Sequence, residues 1–346
     1  MVTDLHDFMA TMVASSPPVP LESAVALARD RYGLEVQATR MTGERDENFR
    51  LSAADSEYVL KIAHPAEDPE VTELLTAVLL HLEASAPRLP CPRVVRTAAG
   101  ETRVRVLDPA GRERTARILT YLPGQLLAST TGSAQQRRSC GLIAGRLTQA
   151  LYAFRHPAAR RVVIWDVRHA AQVRRLLDEL PDFPHARAAA ELLEHLIPRI
   201  EAGLPALRHQ IVHNDINPLN VLVDPSDQTR VIGIIDFGDL TYTALIADVA
   251  VTAAEQIPTD CGDDAMCARA AVLDIARAYH ESAPLRAAEL AMLGTLTAAR
   301  LAANLVVHEW HLRHNPSSGH HKPLEPEFIR ARLAVARHLS RQEFEL

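Results

Sequence analysis

Lysine is nearly missing from this chain of 346 residues: of its 37 basic residues, only Lys61 and Lys322 are lysine and the other 35 are arginine. Cysteine is scarce as well. Cys91, Cys140, Cys261 and Cys267 show neither paired spacing nor a metal-type C-x-x-C, and no apolar signal region precedes them. The expectation is reduced thiols in a cytoplasmic setting. No uninterrupted apolar run approaches the ~20 residues that a helix needs to cross a bilayer, so no membrane partner is expected. Basic blocks are absent too. With 43 acidic residues and a formal charge of -6, the chain lacks the patch that would neutralise a nucleic-acid backbone, while a mild negative charge favours encounter with cationic small molecules. Glycine-rich phosphate loops are missing: Gly43 stands alone in Thr42-Gly43-Glu44, which excludes a Walker-type P-loop and a G-x-G-x-x-G. There is no internal repeat and no low-complexity segment.

What is present reads as two domains, because the length suits about two and 47% hydrophobic residues can fill two cores. Residues 1–20 read as a leader, a short helix and a linker ending in Pro17, Pro18 and Pro20. Leu21 to Tyr32 has helical spacing, with Gly33 suited to its C-terminus. Three antiparallel strands follow at 34–42, 48–52 and 58–62. Asp68-Pro69 opens a second helix, with Asp as N-cap and Pro at the first position, and its apolar face should pack on the strands. Strands at 93–97 and 103–107 complete a five-stranded small lobe. An apolar run from Arg117 to Tyr121 then ends at Leu122-Pro123-Gly124. Beyond this hinge the periodicity is helical over 140–154, 170–180, 186–200, 268–280 and 287–312. The expected architecture is α+β and bilobal, with a nucleotide-binding lobe at 21–122 and a helical catalytic lobe at 123–346.

The chemistry is concentrated between Ile211 and Asp239, where polar groups sit at the ends of two apolar runs. His213-Asn214-Asp215 followed by Asn220 has the H-x-D-x-x-x-x-N spacing of a kinase catalytic loop, and Asp236-Phe237-Gly238 follows in the order such enzymes use. Phosphoryl transfer needs a carboxylate near the acceptor hydroxyl, oxygen ligands for a divalent metal and a cation on the nucleotide phosphates. Asp215 fits the first role. Asn220 and Asp236 supply hard oxygen donors for Mg²⁺. Lys61, kept as lysine in Tyr58-Val59-Leu60-Lys61-Ile62, offers a compact ammonium for phosphates. His213 is expected to brace the loop, and Asp248 to tie it down from the following helix. An Asp at a strand end is usually a turn or cap residue, but the ordered set of lysine strand, Pro-Gly hinge, loop and I-D-F-G outweighs that reading. The histidine-rich tract His308, His311, His314, His320 and His321 lacks H-E-x-x-H and a completing cluster, so surface histidines are expected there.

The chain resembles the aminoglycoside phosphotransferase and choline kinase superfamily, and within it the hydroxylysine kinase-like branch. The resemblance runs from about Leu21 to His314 and rests on GERDENFR at Gly43 to Arg50, EYVLKI at Glu57 to Ile62, ILTYLPG at Ile118 to Gly124, IWD at Ile164 to Asp166, VHNDINPLNVLVD at Val212 to Asp224 and IDFGDLTYT at Ile235 to Thr243. It implies a protein-kinase-like fold using ATP or GTP, the base paired to the backbone at Thr120 and Leu122, and Lys61 and Asn48 near the phosphates. It also implies a small hydroxylated amine or amino acid as acceptor. The family pairs its strand lysine with an acidic or amide side chain near Leu75; Glu70 and Glu73 are the nearest candidates, and neither lies on the apolar stripe. Around the acceptor, Asp239 could face an amine, Arg300 a carboxylate and Trp165 a pocket wall; a buried salt bridge, a helix-surface arginine and a core aromatic are equally good readings. Two other functions fit the motifs: an antibiotic kinase acting on an aminoglycoside or cationic peptide, and a catalytically silent nucleotide-binding module.

Overall fold

The computed structural model describes residue 9 and residues 16–43, 45–315 and 322–346. The chain divides into two compact units. One runs to Pro123 and includes His156–Ala158; the other holds Gly124–Arg155 and Ala159–Leu346.

In the first unit, α1 (Leu21–Tyr32) closes on Gly33, whose φ of 67° is a left-handed cap. The strands β1 (Gln37–Met41), β2 (Glu47–Ser52) and β3 (Glu57–Ile62) form an antiparallel meander. Next come α2 (Pro69–Ser85), β4 (Val94–Val95), β5 (Val104–Leu107) and β6 (Glu113–Thr120). The Asp68 carboxylate accepts the Glu70 N–H at 2.9 Å, which starts α2 where Asp-Pro indicated. The sheet has six strands instead of the expected five. The run before the hinge is itself the central strand, pairing with β3 on one side and with β4 and β5 on the other. Its first half, Glu113 to Thr115, is polar, which hides it from an apolar-run reading.

Alternation sends Phe49, Leu51, Leu60, Ile62, Ala116 and Ile118 to one face, where they form a core with Ala24, Ala28 and Tyr32 of α1. The helix over that core is therefore α1. Lys61 lies in the opposite-facing row, flanked across the strands by Asn48 and Arg117.

The second unit contains two small antiparallel sheets. In one, β9 (Val221–Asp224) lies between β7 (Gln125–Leu126) and β10 (Asp227–Ile234). In the other, β8 (His209–Val212) pairs with β11 (Thr241–Ala244). Gly124 permits the approach of β7 to β9, since a Cβ there would lie 3.1 Å from the Leu222 Cβ and 3.3 Å from the Val223 carbonyl oxygen. The helices are α3 (Ala134–Leu151), α4 (Ala170–Leu176), α5 (Ala186–Gly203), α6 (Leu245–Glu255), α7 (Ala265–Ser282), α8 (Ala287–His314) and α9 (Pro326–Leu339). By length and composition α8 could cross a membrane, yet most of it is buried, packed against α4, α5, α6 and α9.

Two further expectations change. Cys261 and Cys267 form a disulfide, because the turn at Thr259–Cys261 and Gly262 brings their Cα atoms to 5.7 Å. Cys91 and Cys140 are free and buried. In the histidine tract, His311 is buried and lies beside both Trp165 and Trp310, because an all-round apolar helix such as α8 turns few residues to solvent; His320 and His321 lie outside the described residues.

Helices α3 and α7 meet through Gly141 and Gly145, one turn apart. A Cβ on Gly141 would stand 2.3 Å from the Ile275 carbonyl oxygen, and one on Gly145 2.7 Å from that of Tyr279. Alanine normally stabilises a helix interior by roughly 0.5–1 kcal/mol relative to glycine, but these neighbours are backbone and cannot rotate away. Gly141→Ala is expected to lower stability by about 2 kcal/mol, read as a fall in the urea midpoint; an unchanged or raised midpoint would contradict the close packing.

Candidate active site

Two non-glycine residues in the segment from His213 to Asp239 have left-handed backbone: Asn214 at φ 66° and Asp236 at φ 56°. Each stands just beyond a strand end, β8 and β10 respectively, and Asn and Asp are the side chains that tolerate this conformation best. Such strain persists only where the surroundings enforce it. Asp248, on the first turn of α6, accepts the Asn214 N–H at 2.7 Å. His213 is fully buried; its Nε2 donates to the Ile235 carbonyl oxygen at 3.2 Å and its Nδ1 accepts the Asp215 N–H at 3.3 Å. Its ring lies 4.8 Å from that of Phe237. Burial lowers the imidazole pKa to about 4, against the opposing pull of Asp236, so the ring is neutral at pH 7 and holds one tautomer.

Asp215 collects donors from several directions. Its Oδ2 accepts from Nδ2 of Asn217 at 2.9 Å and from Nδ2 of Asn220 at 2.7 Å. Its Oδ1 accepts from Nη2 of Arg300 at 3.1 Å. Burial raises its pKa above the ordinary carboxylate range; Arg300 opposes this, while Glu255 and Asp236 add to it. The Asn220 amide nitrogen also donates to the Asp215 carbonyl oxygen at 3.0 Å, so the amide is fixed by its nitrogen and its oxygen remains for another partner. The Asp236 Oδ1 accepts the Gly238 N–H at 3.1 Å. Arg161 then fastens the segment, donating to the carbonyl oxygens of Gly238 and Leu240.

Arg300 on α8 is buried, not on the helix surface. Its Nε donates to Glu255 Oε1 at 2.9 Å and its Nη1 to the Trp165 carbonyl oxygen at 2.9 Å. Its guanidinium carbon lies 5.0 Å from the centre of the half-buried Trp165 ring. Asn304, one turn on, donates to the same Glu255 oxygen at 2.8 Å. Asp239 is half-buried and close enough to act on Arg300. Arg300 thus bonds Asp215 directly, and Trp165 and Asp239 lie around Arg300. Glu255 and Asn304 escaped the sequence reading. Their signal was positional: Glu255 follows Asp248 by two helical turns, and Asn304 follows Arg300 by one.

In the first unit, the Thr120 N–H donates to the Arg93 carbonyl oxygen, and the Thr120 hydroxyl accepts the Arg93 N–H, both at 2.9 Å. Glu73 bonds Arg103 at 3.0 Å and Glu70 is exposed, so neither is assigned to Lys61.

Burial raises the Asp248 pKa to about 7, while its bond from Asn214 lowers it and Asp215 raises it. The folded state therefore holds this proton more tightly than the unfolded chain. The stability this confers is full below about pH 4 and is lost as pH rises through the folded value. Asp248→Asn should remove that slope between pH 4 and 7 in denaturation measurements. Asp248→Ala, which leaves the Asn214 N–H unpaired, should cost about 1–3 kcal/mol.

Residues 38–290 match the phosphotransferase enzyme family, APH. The chain is 29% identical to hydroxylysine kinase of Mus musculus over 263 residues, 69% of each chain. Its fold resembles that of the amicoumacin kinase hAmiN, solved with AMP-PNP and Ca²⁺, at a TM-score of 0.69 and 16% identity over 96% of both chains. It also resembles a microcompartment-associated aminopropanol kinase, with a TM-score of 0.63 and 18% identity over 92% of this chain and 95% of that one. The family match begins in β1 and ends in α8, taking in the sheet of the first unit and the whole segment around Asp215, and so the chain belongs to the phosphotransferase enzyme family.

Proposed function

We propose that the enzyme transfers the γ-phosphoryl group of ATP or GTP to a hydroxyl of a small amine-bearing acceptor, with hydroxylysine the first to test. The observation that carries this reading is the Asp215 carboxylate, held by Asn217, Asn220 and Arg300 with one oxygen still able to accept. In this role Asp215 orients the acceptor hydroxyl and takes its proton as the phosphoryl group transfers. Its raised pKa suits a base that must accept and then release a proton near neutral pH.

Asn220 and Asp236 would hold Mg²⁺, which supplies charge neutralisation on the nucleotide phosphates when bound. The donors suit it: an amide oxygen left over by a tethered amide nitrogen, and an exposed carboxylate. Among the described residues no group of three or more His, Cys, Asp or Glu side chains could cage a metal, in keeping with an ion that shares its shell with phosphates and water. Lys61, with Asn48 beside it on β2, would contact the phosphates. The nucleotide base would pair with the backbone at Thr120 and Leu122. His213 and Asp248 keep the loop in shape.

The choice of acceptor rests on charge. Asp215 and Glu255 both pair with Arg300, two carboxylates on one guanidinium, an arrangement that suits an amine close to the reacting hydroxyl. Similarity to hydroxylysine kinases points the same way.

The test is release of nucleoside diphosphate from ATP and from GTP with hydroxylysine, simple amino alcohols and aminoglycosides as acceptors. Asp215→Ala should lose at least ~100-fold in kcat, and chelation of divalent metal should abolish turnover. Because the ionised carboxylate is required, wild-type kcat/KM should fall on the acid side with a midpoint above the ordinary value of about 4. Equal turnover by Asp215→Ala would overturn the assignment. Preference for a large aminoglycoside would replace the amino-alcohol reading with antibiotic inactivation, and nucleotide binding without turnover of any acceptor would leave a silent module.

A further inference from the structure

By sequence alone Arg300 is a candidate to receive an acceptor carboxylate. Its geometry speaks for another use. All three of its nitrogens already bond protein: Nε to Glu255, Nη1 to the Trp165 carbonyl and Nη2 to Asp215. The side chain is 3% exposed, and the Trp165 ring covers the guanidinium. Nε and Nη2 line one edge of the guanidinium plane, so Glu255 and Asp215 are held side by side by one cation. Glu255 is in turn fixed by Asn304. The result is a rigid bracket from α8 and α6 to the loop after β8.

A carboxylate has about four acceptor positions. In Asp215, Asn217 and Asn220 take the two on Oδ2, and Arg300 takes one on Oδ1. One position on Oδ1 remains. Resting on the functional reading above, we infer that Arg300 is a positioning residue: it fixes the Asp215 carboxylate so that a single lone pair on Oδ1 faces the acceptor hydroxyl. Glu255 and the Trp165 carbonyl hold the guanidinium in the plane this requires. Arginine is needed because three partners must be met in one plane; a lysine ammonium on a flexible stem cannot span them.

The experiment is a double-mutant cycle between Arg300 and Asp215, with kcat, acceptor KM and nucleotide KM measured for wild type, Arg300→Met, Arg300→Lys, Asp215→Asn and Arg300→Met/Asp215→Asn. Loss of orientation at the reacting hydroxyl should lower kcat of Arg300→Met on the order of 100-fold, with both KM values within about twofold, the split expected when only transition-state stabilisation is lost. Arg300→Lys should recover part of the loss. The double variant should be no slower than Asp215→Asn, since residues acting as one unit are not additive. If Arg300→Met fails to fold, Arg300→Lys carries the cycle. A rise in acceptor KM with kcat intact, or a full further loss in the Asp215→Asn background, would overturn the inference. Asp215→Asn as active as wild type would instead bring down the functional reading itself, whereas a crippled Asp215→Asn beside an unaffected Arg300→Met removes only the role of Arg300.

Discussion

A single buried hydrogen bond, from the Asn214 N–H to the Asp248 carboxylate, sets the terms for everything around Asp215. A left-handed, non-glycine residue costs about 1–3 kcal/mol. A net hydrogen bond contributes about 0.5–1.5 kcal/mol, and leaving this buried N–H unpaired would cost about 1–3 kcal/mol, enough to offset that cost. The conformation it secures separates two neighbours: His213 is wholly buried, whereas Asp215 keeps partial access. One polar residue can thereby brace the interior while, on the proposed function, the next but one faces a substrate. The His213 ring then ties the loop to the end of β10 through Ile235, so the two polar segments at Asn214 and Asp236 are fastened to each other. Arg161 clamps the far side of the second segment.

Much of this was legible because the chemistry is local. H-x-D-x-x-x-x-N and D-F-G are short stretches in which neighbouring residues bond one another, as Asn217 and Asn220 do with Asp215. The Asp68-Pro69 cap and the Gly33 stop are local in the same sense. What escaped is non-local. Glu255 and Asn304 acquire meaning only when α6 and α8 pack together, and no spacing rule joins residue 255 to residue 300. The strand β6 hid behind a polar first half, and the disulfide between Cys261 and Cys267 depends on a turn around Gly262 that composition does not reveal. The sequence marks out Arg300 but not its burial, because an arginine on a helix is ordinarily exposed. Boundaries moved for physical reasons too: α7 begins at Ala265 because Asp264 accepts the N–H groups of Met266 and Cys267, a cap that apolar periodicity does not register.

The near-absence of lysine acquires a physical sense from the contrast between positions 61 and 300. Arginine predominates throughout the chain, and at Arg300 its planar fork is indispensable, since one cation meets two carboxylates and a backbone carbonyl while stacking on Trp165. A group so engaged is held by the protein and cannot follow a substrate through a reaction. Lysine has the opposite virtue: a compact, strongly hydrated charge on a flexible stem can shift as phosphate oxygens move. On the proposed function, Lys61 would need that freedom, set on a strand whose neighbouring residues Leu60 and Ile62 are locked in the core. An enzyme that uses arginine for nearly all its cations would then retain lysine where a charge must move and arginine where a carboxylate must not.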